Sequence, residues 1–596
     1  RAERNLLPLM NNLLENREMA LEDGRLMIRY ERWKELQEDE TTTLSDKVVP
    51  VHKDFRVIAL SLPVPPFQGN PLDPPLRSRF QAREVHEEDL SSLIQLPNDE
   101  GTQWDHDLIA TVLQLLQSIS TSMHGLDQMS ARKPAQLPPF SLSHAQDLLI
   151  FLHKNKSVLS VGMIEDWIKS FYPIQFISRD QNVIDSIHEM LRSGAEEIGA
   201  HLQCSGQEGE SSFSVDKGVT GSTLILNRGS QKVLLPLHRA PEVIHQKSSK
   251  FIPILNHQHI LQKMLVSHSM KRDVCLIGRR SSGKSTLAHH FASLIGLDST
   301  VFPCFSDMTS RDLLLSRATD SEGNTTWKAS PLIRCMREGQ LCILDNVQTL
   351  DKHILMTLHT LIQDRQLFLS DGSRWVSNEV YNDMLSMGFS EEQLEEAQVH
   401  RIHPSFSLIA LALVPEKGEN NWFSAETLQL FHYHMLKKMT QVEELELVHS
   451  ILEQTSSRRE LTSEEEEYVT KSVRNVISFK NAYNFEIQKR PSKKKSKEIS
   501  MREVLRIAHS LREYPHNVSL ASSIEQVTML RLLPSRLKSD VIKLMHQHGI
   551  ENDQKDTKLH MTVTENSVQI GALTCPRKKH SNPTLVPKPF YVDTDE

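Results

Sequence analysis

Residues 278–286 combine glycine, lysine and hydroxyl side chains at a spacing that could bind a phosphate. Two glycines bracket four residues, and a lysine and a serine follow the second glycine, giving G-x-x-x-x-G-K-S. Glycine permits a close backbone approach, so that N–H groups and a helix N-terminus can face a polyphosphate. In such a loop Lys284 would reach the β- and γ-phosphates, and the Ser285 hydroxyl would ligate magnesium. The candidate residues are Gly278, Arg279, Arg280, Ser281, Ser282, Gly283, Lys284, Ser285 and Thr286.

The segments on either side of this loop have the patterns that it requires. Residues 274–277 are an apolar run typical of a buried strand, and residues 286–295 have the pattern of a helix. This strand–loop–helix order favours a nucleotide site over the alternative, a chance glycine–lysine turn. The sequence therefore predicts an α/β core that binds ATP and Mg2+.

A second apolar run, residues 341–345, ends in Asp345. An acidic residue at a strand end commonly holds magnesium in this kind of site, and a helix cap is the alternative role for Asp345. The next residue, Asn346, is an amide and cannot take a proton from a water molecule. Because losing a general base typically costs about 10² to 10⁴ in rate, we expect weak or absent ATP turnover at this site.

The composition narrows the class of protein. The chain has 596 residues, which predicts several domains, and 38% hydrophobic and 24% charged residues suit a soluble folded protein. The formal net charge of -8 gives no argument for nucleic-acid binding, and no apolar run has the roughly eighteen residues of a membrane helix.

The six cysteines form no C-x-x-C pair and are expected to be reduced and mostly buried. The basic run 489–497 is predicted to be a solvated loop, with a nucleic-acid or targeting role as the alternative.

The chain contains an internal repeat. Residues 5–24 are echoed by residues 353–372, and residues 52–60 are echoed by residues 403–411 at nearly the same offset. Two echoes in the same order indicate two copies of one module. Since only the second copy has a complete phosphate loop, the loop of the first copy is expected upstream of residue 1. We therefore expect the chain to be a fragment that begins inside its first module.

Between and after the copies, the sequence predicts helical bundles and β linkers. Helical periodicity covers residues 107–119 and 143–152. Alternation over 223–227 and 231–236 predicts a hairpin with its turn at 228–230, and a similar alternation covers 561–571. The predicted domains are the C-terminal part of a first core (1–96), its helical lid (97–205), a β-rich linker (206–250), a second core (251–437), its helical lid (438–545) and a β-rich linker toward a third module (546–596).

The order of motifs around the loop resembles that of the dynein-related and MoxR-like branch of the AAA+ ATPases. These motifs are Gly278–Ser285, Asp307–Leu314, Ser330–Leu332, Glu338–Gln340 and Leu344–Asp345. The resemblance implies an α/β fold of P-loop NTPase (AAA+) cores with a parallel sheet, helical lid bundles and small β linkers in tandem modules. Residues 13–18 and 69–80 resemble large mitochondrial members that carry a von Willebrand factor A domain, which implies a mitochondrial location and places that domain beyond residue 596.

The resemblance also implies roles for single residues outside the loop. Arg79 matches the arginine finger that completes the site of a neighbouring module, whereas Leu430 stands at that position in the second copy. Arg502, within the run 500–503, resembles the sensor-2 arginine that would contact the γ-phosphate. The alternatives are a surface arginine paired with a carboxylate for Arg79 and an ordinary exposed helix arginine for Arg502.

Leucine occupies the position where the family usually has a polar sensor-1 residue. Leu62 lies within a predicted strand, residues 55–63, of the first copy, and Leu413 lies at the same position of the second. A leucine side chain cannot orient a water molecule, because it has no hydrogen-bonding group. This difference from the family strengthens the expectation that the second site turns ATP over weakly.

These features together predict part of a ring-type AAA+ ATPase that couples ATP binding and hydrolysis to remodelling of a partner. Its partners would be nucleotide, neighbouring AAA+ modules and a protein substrate, with no nucleic acid and no membrane span. The alternative is a non-catalytic scaffold in which bound ATP holds the modules together. Asn346 favours the scaffold for the second module, whereas Arg79 favours hydrolysis elsewhere in the full protein. A small-molecule kinase is the weakest alternative, because no substrate-pocket signature accompanies the repeat.

Overall fold

The computed structural model describes the chain in segments. The described residues are 7–21, 24–38, 47–61, 74–83, 106–129, 142–154, 160–171, 173, 181–202, 211–218, 221–228, 231–236, 251–252, 254–319, 323, 325–415, 422–423, 427–454, 462–488, 498–513, 515, 519–550, 561–564, 566–570 and 573–576. Among the residues discussed above, Leu62, residues 69–73, the turn residues 229–230 and the basic run 489–497 lie outside this set. The chain divides into two compact units, Arg1–Leu93 and Ile94–Glu596.

The first unit contains a small three-stranded sheet with short helices. In chain order its elements are a 3-10 turn (Leu7–Met10), α1 (Asn11–Asn16), β1 (Met19–Ala20), β2 (Leu26–Arg29), α2 (Tyr30–Glu38), β3 (Val48–Val51) and α3 (Pro74–Arg77). Strand β2 is central, antiparallel to β1 and parallel to β3. Ile28 and Val51 are both buried in this sheet.

The second unit begins with a helical bundle followed by an antiparallel sheet. In chain order these elements are α4 (His106–Met129), α5 (Leu142–Lys154), α6 (Val161–Phe171), α7 (Gln181–His201), β4 (Ser211–Gly218), β5 (Gly221–Arg228) and β6 (Gln231–Pro236). Helices α4 and α5 confirm the helices predicted from periodicity, and the antiparallel pair β5–β6 confirms the predicted hairpin. Leu148, Ile164 and Phe171 are fully buried within the bundle.

A parallel five-stranded sheet forms the core that follows. In chain order the elements of this region are α8 (Leu255–Ser269), β7 (Val274–Gly278), α9 (Lys284–Ile295), β8 (Ser299–Pro303), α10 (Ser310–Leu313), β9 (Leu315–Thr319), β10 (Thr325–Ala329), α11 (Pro331–Glu338), β11 (Leu341–Asp345), α12 (Lys352–Met356), α13 (His359–Asp364), β12 (Leu367–Phe368), β13 (Arg374–Val376), α14 (Asn378–Ser386), α15 (Glu391–Glu396), β14 (Val399–Arg401), β15 (Ser407–Leu413) and β16 (His432–Met435). The sheet order is β16-β7-β15-β11-β8, and each neighbouring pair is parallel.

The strand order explains the apolar sequence of the core strands. Strand β7 is buried at every position, as expected for a central strand of a parallel sheet that is covered on both faces. Strands β7 and β11 confirm the two predicted apolar strands, and α9 confirms the helix that was predicted after the loop. Because β15 lies between β7 and β11, the carboxyl ends of these strands meet along the same edge of the sheet.

A second helical region and a small antiparallel sheet complete the described chain. In chain order these elements are α16 (Gln441–Gln454), α17 (Ser463–Gln488), α18 (Met501–Glu513), α19 (Leu520–Thr528), α20 (Ser535–Gln547), β17 (Met561–Val563), β18 (Ser567–Ile570) and β19 (Leu573–Pro576). The helices share one apolar core, which includes Phe479 and Leu511. The antiparallel pair β17–β18 confirms the alternation predicted near the end of the chain.

The sheet β12-β13-β14 has the same strand register as the sheet of the first unit. Met19 is paired with Met27 in the first unit, and Leu367 is paired with Trp375 in the second, at one sequence offset. In both sheets the central strand is antiparallel to the strand before it and parallel to the strand after it. The echo found in the sequence is therefore matched by a repeated strand arrangement.

The arginines that precede these two sheets also correspond. Arg17 and Arg365 each end a helix in the left-handed conformation, with φ values of 59° and 52°. Their guanidinium groups each lie 5.5 Å from an aromatic ring centre, that of Phe55 for Arg17 and that of Phe406 for Arg365. Arg365 also forms a two-point ion pair with the buried carboxylate of Asp273, at 2.5 and 2.9 Å.

One strand predicted for the first copy is wrong. Residues 55–61 have no regular secondary structure, whereas their counterparts form β15, which is hydrogen bonded to β7 and β11. Ile58 and Leu60 are 89% and 95% exposed, but the corresponding Ile409 and Leu411 are almost fully buried. A strand needs a hydrogen-bonded neighbour, and no strand within the described part of the first unit pairs with residues 55–61.

The first helical bundle packs against the edge of the parallel sheet. The rings of Trp167 in α6 and His432 in β16 are perpendicular, with centres 4.7 Å apart. Arg272, just before β7, forms an ion pair with Asp147 of α5 at 2.5 Å. Burial lowers the pKa of His144 to about 3 and lowers that of His432 as well, so both imidazoles are neutral at pH 7. The contact is therefore aromatic, with an ion pair at its border.

Two predictions from composition concern the chain as a whole. No helix in the described segments combines the length and the apolar character that crossing a bilayer requires. Cys275, Cys304, Cys335 and Cys342 are free and buried, as predicted for reduced thiols.

Candidate nucleotide-binding site

The loop between β7 and α9 has a backbone that depends on its two glycines. Gly283 precedes the first residue of α9 with a φ of +87°, a conformation that L-residues rarely adopt. A Cβ atom on Gly278 would lie 2.7 Å from the Ser282 hydroxyl oxygen, which is too close. Ser281 is also left-handed, with a φ of 59°. These consecutive turns fold the loop back over the N-terminus of α9, where backbone N–H groups have no intrahelical partner.

Lys284 is held over this loop by backbone carbonyl groups. Its Nζ atom donates hydrogen bonds to the carbonyl oxygens of Gly278, at 2.8 Å, and Arg279, at 2.9 Å. Burial lowers the pKa of Lys284 to about 8, and the Asp345 carboxylate partly opposes that shift. The ammonium group therefore lies at the loop in a partly desolvated position, where a phosphate oxygen would attract it strongly.

Asp345 lies at the carboxyl end of β11, on the same sheet edge as the loop. In the strand register, Asp345 is paired with Leu411 of β15, and Leu413, two residues further along β15, is paired with Gly278. The Asp345 carboxylate is near enough to Lys284 to raise its pKa. Ser285, the second residue of α9, follows Lys284 in the chain and is half-buried. A hydroxyl and a carboxylate at this edge are oxygen ligands of the kind that Mg2+ prefers.

Asn346 follows Asp345 in a conformation that suits asparagine. Its φ is 64°, and the residue is exposed. Its backbone carbonyl accepts hydrogen bonds from the N–H and the hydroxyl of Thr349, at 3.0 and 2.8 Å. Nearby, the side-chain amide of Gln348 accepts a hydrogen bond at 3.1 Å from the N–H of Leu413. Gln348, from another segment, thus contacts the backbone at the predicted sensor-1 position, a contact that sequence matching did not detect.

Arg502 lies in the first turn of α18 with an exposed side chain. The Glu503 carboxylate caps this helix start, since the N–H and hydroxyl of Ser500 both donate to it, at 2.7 and 2.9 Å. The serine and glutamate of the run 500–503 therefore start a helix. Within the described residues, no hydrogen bond or ion pair connects Arg502 to the loop.

Arg79 and Leu430, which the sequence placed at equivalent positions, have different surroundings. Arg79 forms an ion pair with Glu15 and donates to the Pro75 carbonyl, and its side chain is 21% exposed. Leu430 is buried beside β16. Arg79 belongs to the first unit and Leu430 to the second.

His257 of α8 is a further residue that sequence reasoning missed. Its ring is 6% exposed, and its Nε2 atom lies 3.1 Å from the carbonyl oxygen of Ser282. A Cβ atom on Gly283 would lie 3.0 Å from this ring. Within the part of the chain that the structure describes, the buried hydroxyl oxygen of Ser282 has no hydrogen-bond partner. No motif spacing points to His257, because it comes from the helix before β7.

Comparison with known proteins decides the family of this core. The profile of the AAA domain (dynein-related subfamily) matches residues 1–80 and 273–431, and the second range contains β7, the loop, β11 and β15. The chain contains a dynein-related AAA+ domain. This result confirms the resemblance found in the sequence.

The relatives show how far the AAA+ similarity extends. The von Willebrand factor A domain-containing protein 8 of Mus musculus is 30% identical over 606 residues, covering 100% of this chain and 30% of the mouse protein. Protein NorQ of Paracoccus denitrificans is 34% identical over 98 residues, which are 16% of this chain and 36% of NorQ. Among solved structures, the RuvB Holliday junction branch migration motor of Thermotoga maritima matches at 16% identity and a TM-score of 0.25, over 53% of this chain and 76% of that chain.

Proposed function

We propose that residues 251–545 form an AAA+ module that binds ATP with Mg2+, within a larger ring-type ATPase that remodels a partner protein. The observation that carries the proposal is the loop itself. It combines a glycine with positive φ, a half-buried ammonium held by loop carbonyls and a carboxylate on the same sheet edge. Together these groups match the requirements of a polyphosphate and its metal ion.

Different residues of the site would contact different parts of the bound nucleotide. The backbone of residues 278–286 would hold the phosphates, Lys284 would neutralise their charge, and Ser285 and Asp345 would hold Mg2+. When bound, Mg2+ supplies charge neutralisation and polarises the phosphoryl oxygens. Arg502 would reach the γ-phosphate only if the second helical region closes over the loop.

The same proposal assigns the first unit to a second AAA+ module. The shared strand register of β1-β2-β3 and β12-β13-β14 supports a tandem arrangement, with module limits at 1–96, 97–205, 206–250, 251–437, 438–545 and 546–596. Arg79 would then act in trans on a neighbouring module once it leaves Glu15. A mitochondrial location and a protein substrate belong to the proposal on the resemblance alone.

A non-catalytic scaffold is the second candidate for the 251–545 module. Asn346 stands where a general base is needed, and its left-handed conformation is easier for asparagine than for glutamate. Leu413 adds no polar group at the sensor-1 position. In that case ATP would bind and hold modules together, and hydrolysis would occur in other modules of the assembly.

Thermal unfolding with and without ATP·Mg2+ tests the binding site. At about a hundred times its Kd, ATP should stabilise the module by roughly 2.7 kcal/mol. Lys284→Ala should abolish this stabilisation. Lys271→Ala is the matched control, because Lys271 is an exposed lysine that pairs with the exposed Glu379, at 3.5 Å. An unchanged ATP-induced shift in the Lys284 variant would show that the loop is not the site.

A further inference from the structure

His257 lies against the phosphate loop at the peptide between Ser282 and Gly283. It is the third residue of α8, and its ring packs against the backbone of Gly283. Its Nε2 atom lies 3.1 Å from the Ser282 carbonyl oxygen, which can only accept a hydrogen bond. The Nε2 atom therefore carries the hydrogen and donates it to the loop.

The geometry of a peptide bond connects this hydrogen bond to the phosphate side of the loop. The Ser282 carbonyl and the Gly283 N–H belong to one peptide group, and in a trans peptide they point in opposite directions. A carbonyl held toward α8 therefore turns the Gly283 N–H away from α8, toward the side where a phosphate would lie. Glycine leaves this peptide free to rotate, so an external hydrogen bond is needed to set its orientation.

A neighbouring contact anchors the start of α8, and burial sets the protonation state of the imidazole. Asn256 donates from its side-chain amide to the Lys437 carbonyl at 3.2 Å, which ties the start of α8 to the segment after β16. Burial lowers the pKa of His257, whereas the Ser282 carbonyl and the Glu443 carboxylate raise it. The buried ring is thus neutral at pH 7, and the loop carbonyl selects the Nε2–H tautomer.

We propose that His257 is a positioning residue for nucleotide binding, which aims the Gly283 amide at the polyphosphate through the Ser282 carbonyl. The inference rests on the proposed function, since it requires that the loop binds a phosphate chain. It adds a residue from outside the loop motif to the binding apparatus. The ligand contacts would be made by Gly283, and His257 would touch only the protein.

Three variants separate the hydrogen bond from the packing. His257→Phe keeps a ring without a donor, His257→Gln keeps a donor without the ring, and His257→Ala removes both. We expect the Kd for ATP·Mg2+ to rise about tenfold in the Phe and Ala variants and to stay within about twofold in the Gln variant. The same loss should occur with magnesium pyrophosphate as the probe, because the phosphate contacts are what weaken.

His548→Phe is the matched control. His548 is a partly buried histidine whose Nδ1 atom lies 3.0 Å from the Ser478 hydroxyl oxygen, and it makes no described contact with the loop, so its replacement should leave the Kd unchanged. The Phe and Gln variants keep the test decisive even if the Ala variant fails to fold. If the parent protein binds ATP and His257→Phe binds it equally well, the positioning role is wrong. If the parent protein binds neither probe, the proposed function fails instead.

Discussion

Raising the pH from 7 to 9 should weaken ATP binding by removing the proton from Lys284. Burial lowers the pKa of this lysine to about 8 in the nucleotide-free protein. A bound polyphosphate stabilises the ammonium form and raises the same pKa, because opposite charges close together favour ionisation. Affinity is therefore fully present below pH 8 and is lost as the pH rises through 8, with one proton taken up on binding in that range.

The size of the change in Kd follows from the fraction of Lys284 that must take up a proton before ATP binds. With a pKa of about 8, the nucleotide-free lysine is about 90% protonated at pH 7 and about 10% protonated at pH 9. The Kd should rise about tenfold between these values, which corresponds to about 1.4 kcal/mol. Three other groups near the loop, Cys275, Cys304 and His257, are not expected to titrate in this window. Burial raises the pKa of the Cys275 and Cys304 thiols, so both stay protonated, and it lowers the pKa of His257.

Isothermal titration calorimetry in two buffers of different ionisation enthalpy measures both quantities. Proton uptake on binding should be about 0.1 at pH 7 and about 0.9 at pH 9. Lys284→Arg is the control, since a guanidinium remains charged throughout this range. Whatever its affinity, the arginine variant should bind ATP with a Kd that does not change between pH 7 and 9.

Two results would refute this reasoning. A parent Kd that is constant from pH 7 to 9 would mean that burial does not shift the lysine, or that its ammonium group does not contact the nucleotide. A pH dependence that persists in Lys284→Arg would assign the titration to another group. Either result would require a different electrostatic account of the loop.

Three further outcomes are expected. Asn346→Glu should raise steady-state phosphate release by less than about tenfold, because glutamate is disfavoured at a φ of 64° and the sensor-1 and arginine-finger groups are still missing. A hundredfold rise would contradict this prediction. In the assembled ATPase, Arg79→Ala should lower ATP turnover by about 10³ or more with little change in ATP affinity, whereas Glu15→Gln, which removes the ion-pair partner of Arg79, should not lower turnover. Equal turnover in Arg79→Ala and the parent would mean that Arg79 has only a structural role. Burial lowers the pKa values of His144 and His434 to about 3, so the free energy of unfolding should fall as the pH drops from 6.5 toward 3, by up to about 1.4 kcal/mol per pH unit for each histidine. Urea titration measures this fall, and substitution of either histidine by glutamine should make the free energy of unfolding depend less steeply on pH.

Much of the core could be predicted because its signals are local. The loop residues 278–286, the apolar run before them and the helix after them are contiguous, so spacing alone predicted the turn and its neighbours. The run that ends at Asp345 is likewise a local pattern. The strand expected over 55–63 failed because a strand depends on neighbours that local sequence does not describe.

The amino-acid sequence by itself determined the phosphate-loop chemistry, the repeat and the absence of a base at Asn346, since each depends on residue type and spacing. The tertiary structure decided which distant groups share an edge or a contact. It placed β15 between β7 and β11, brought His257 into contact with the Ser282 carbonyl and set Gln348 against Leu413. These relations come from helix packing and sheet order, in which residues far apart in sequence meet because burying apolar surface and pairing strands demand it.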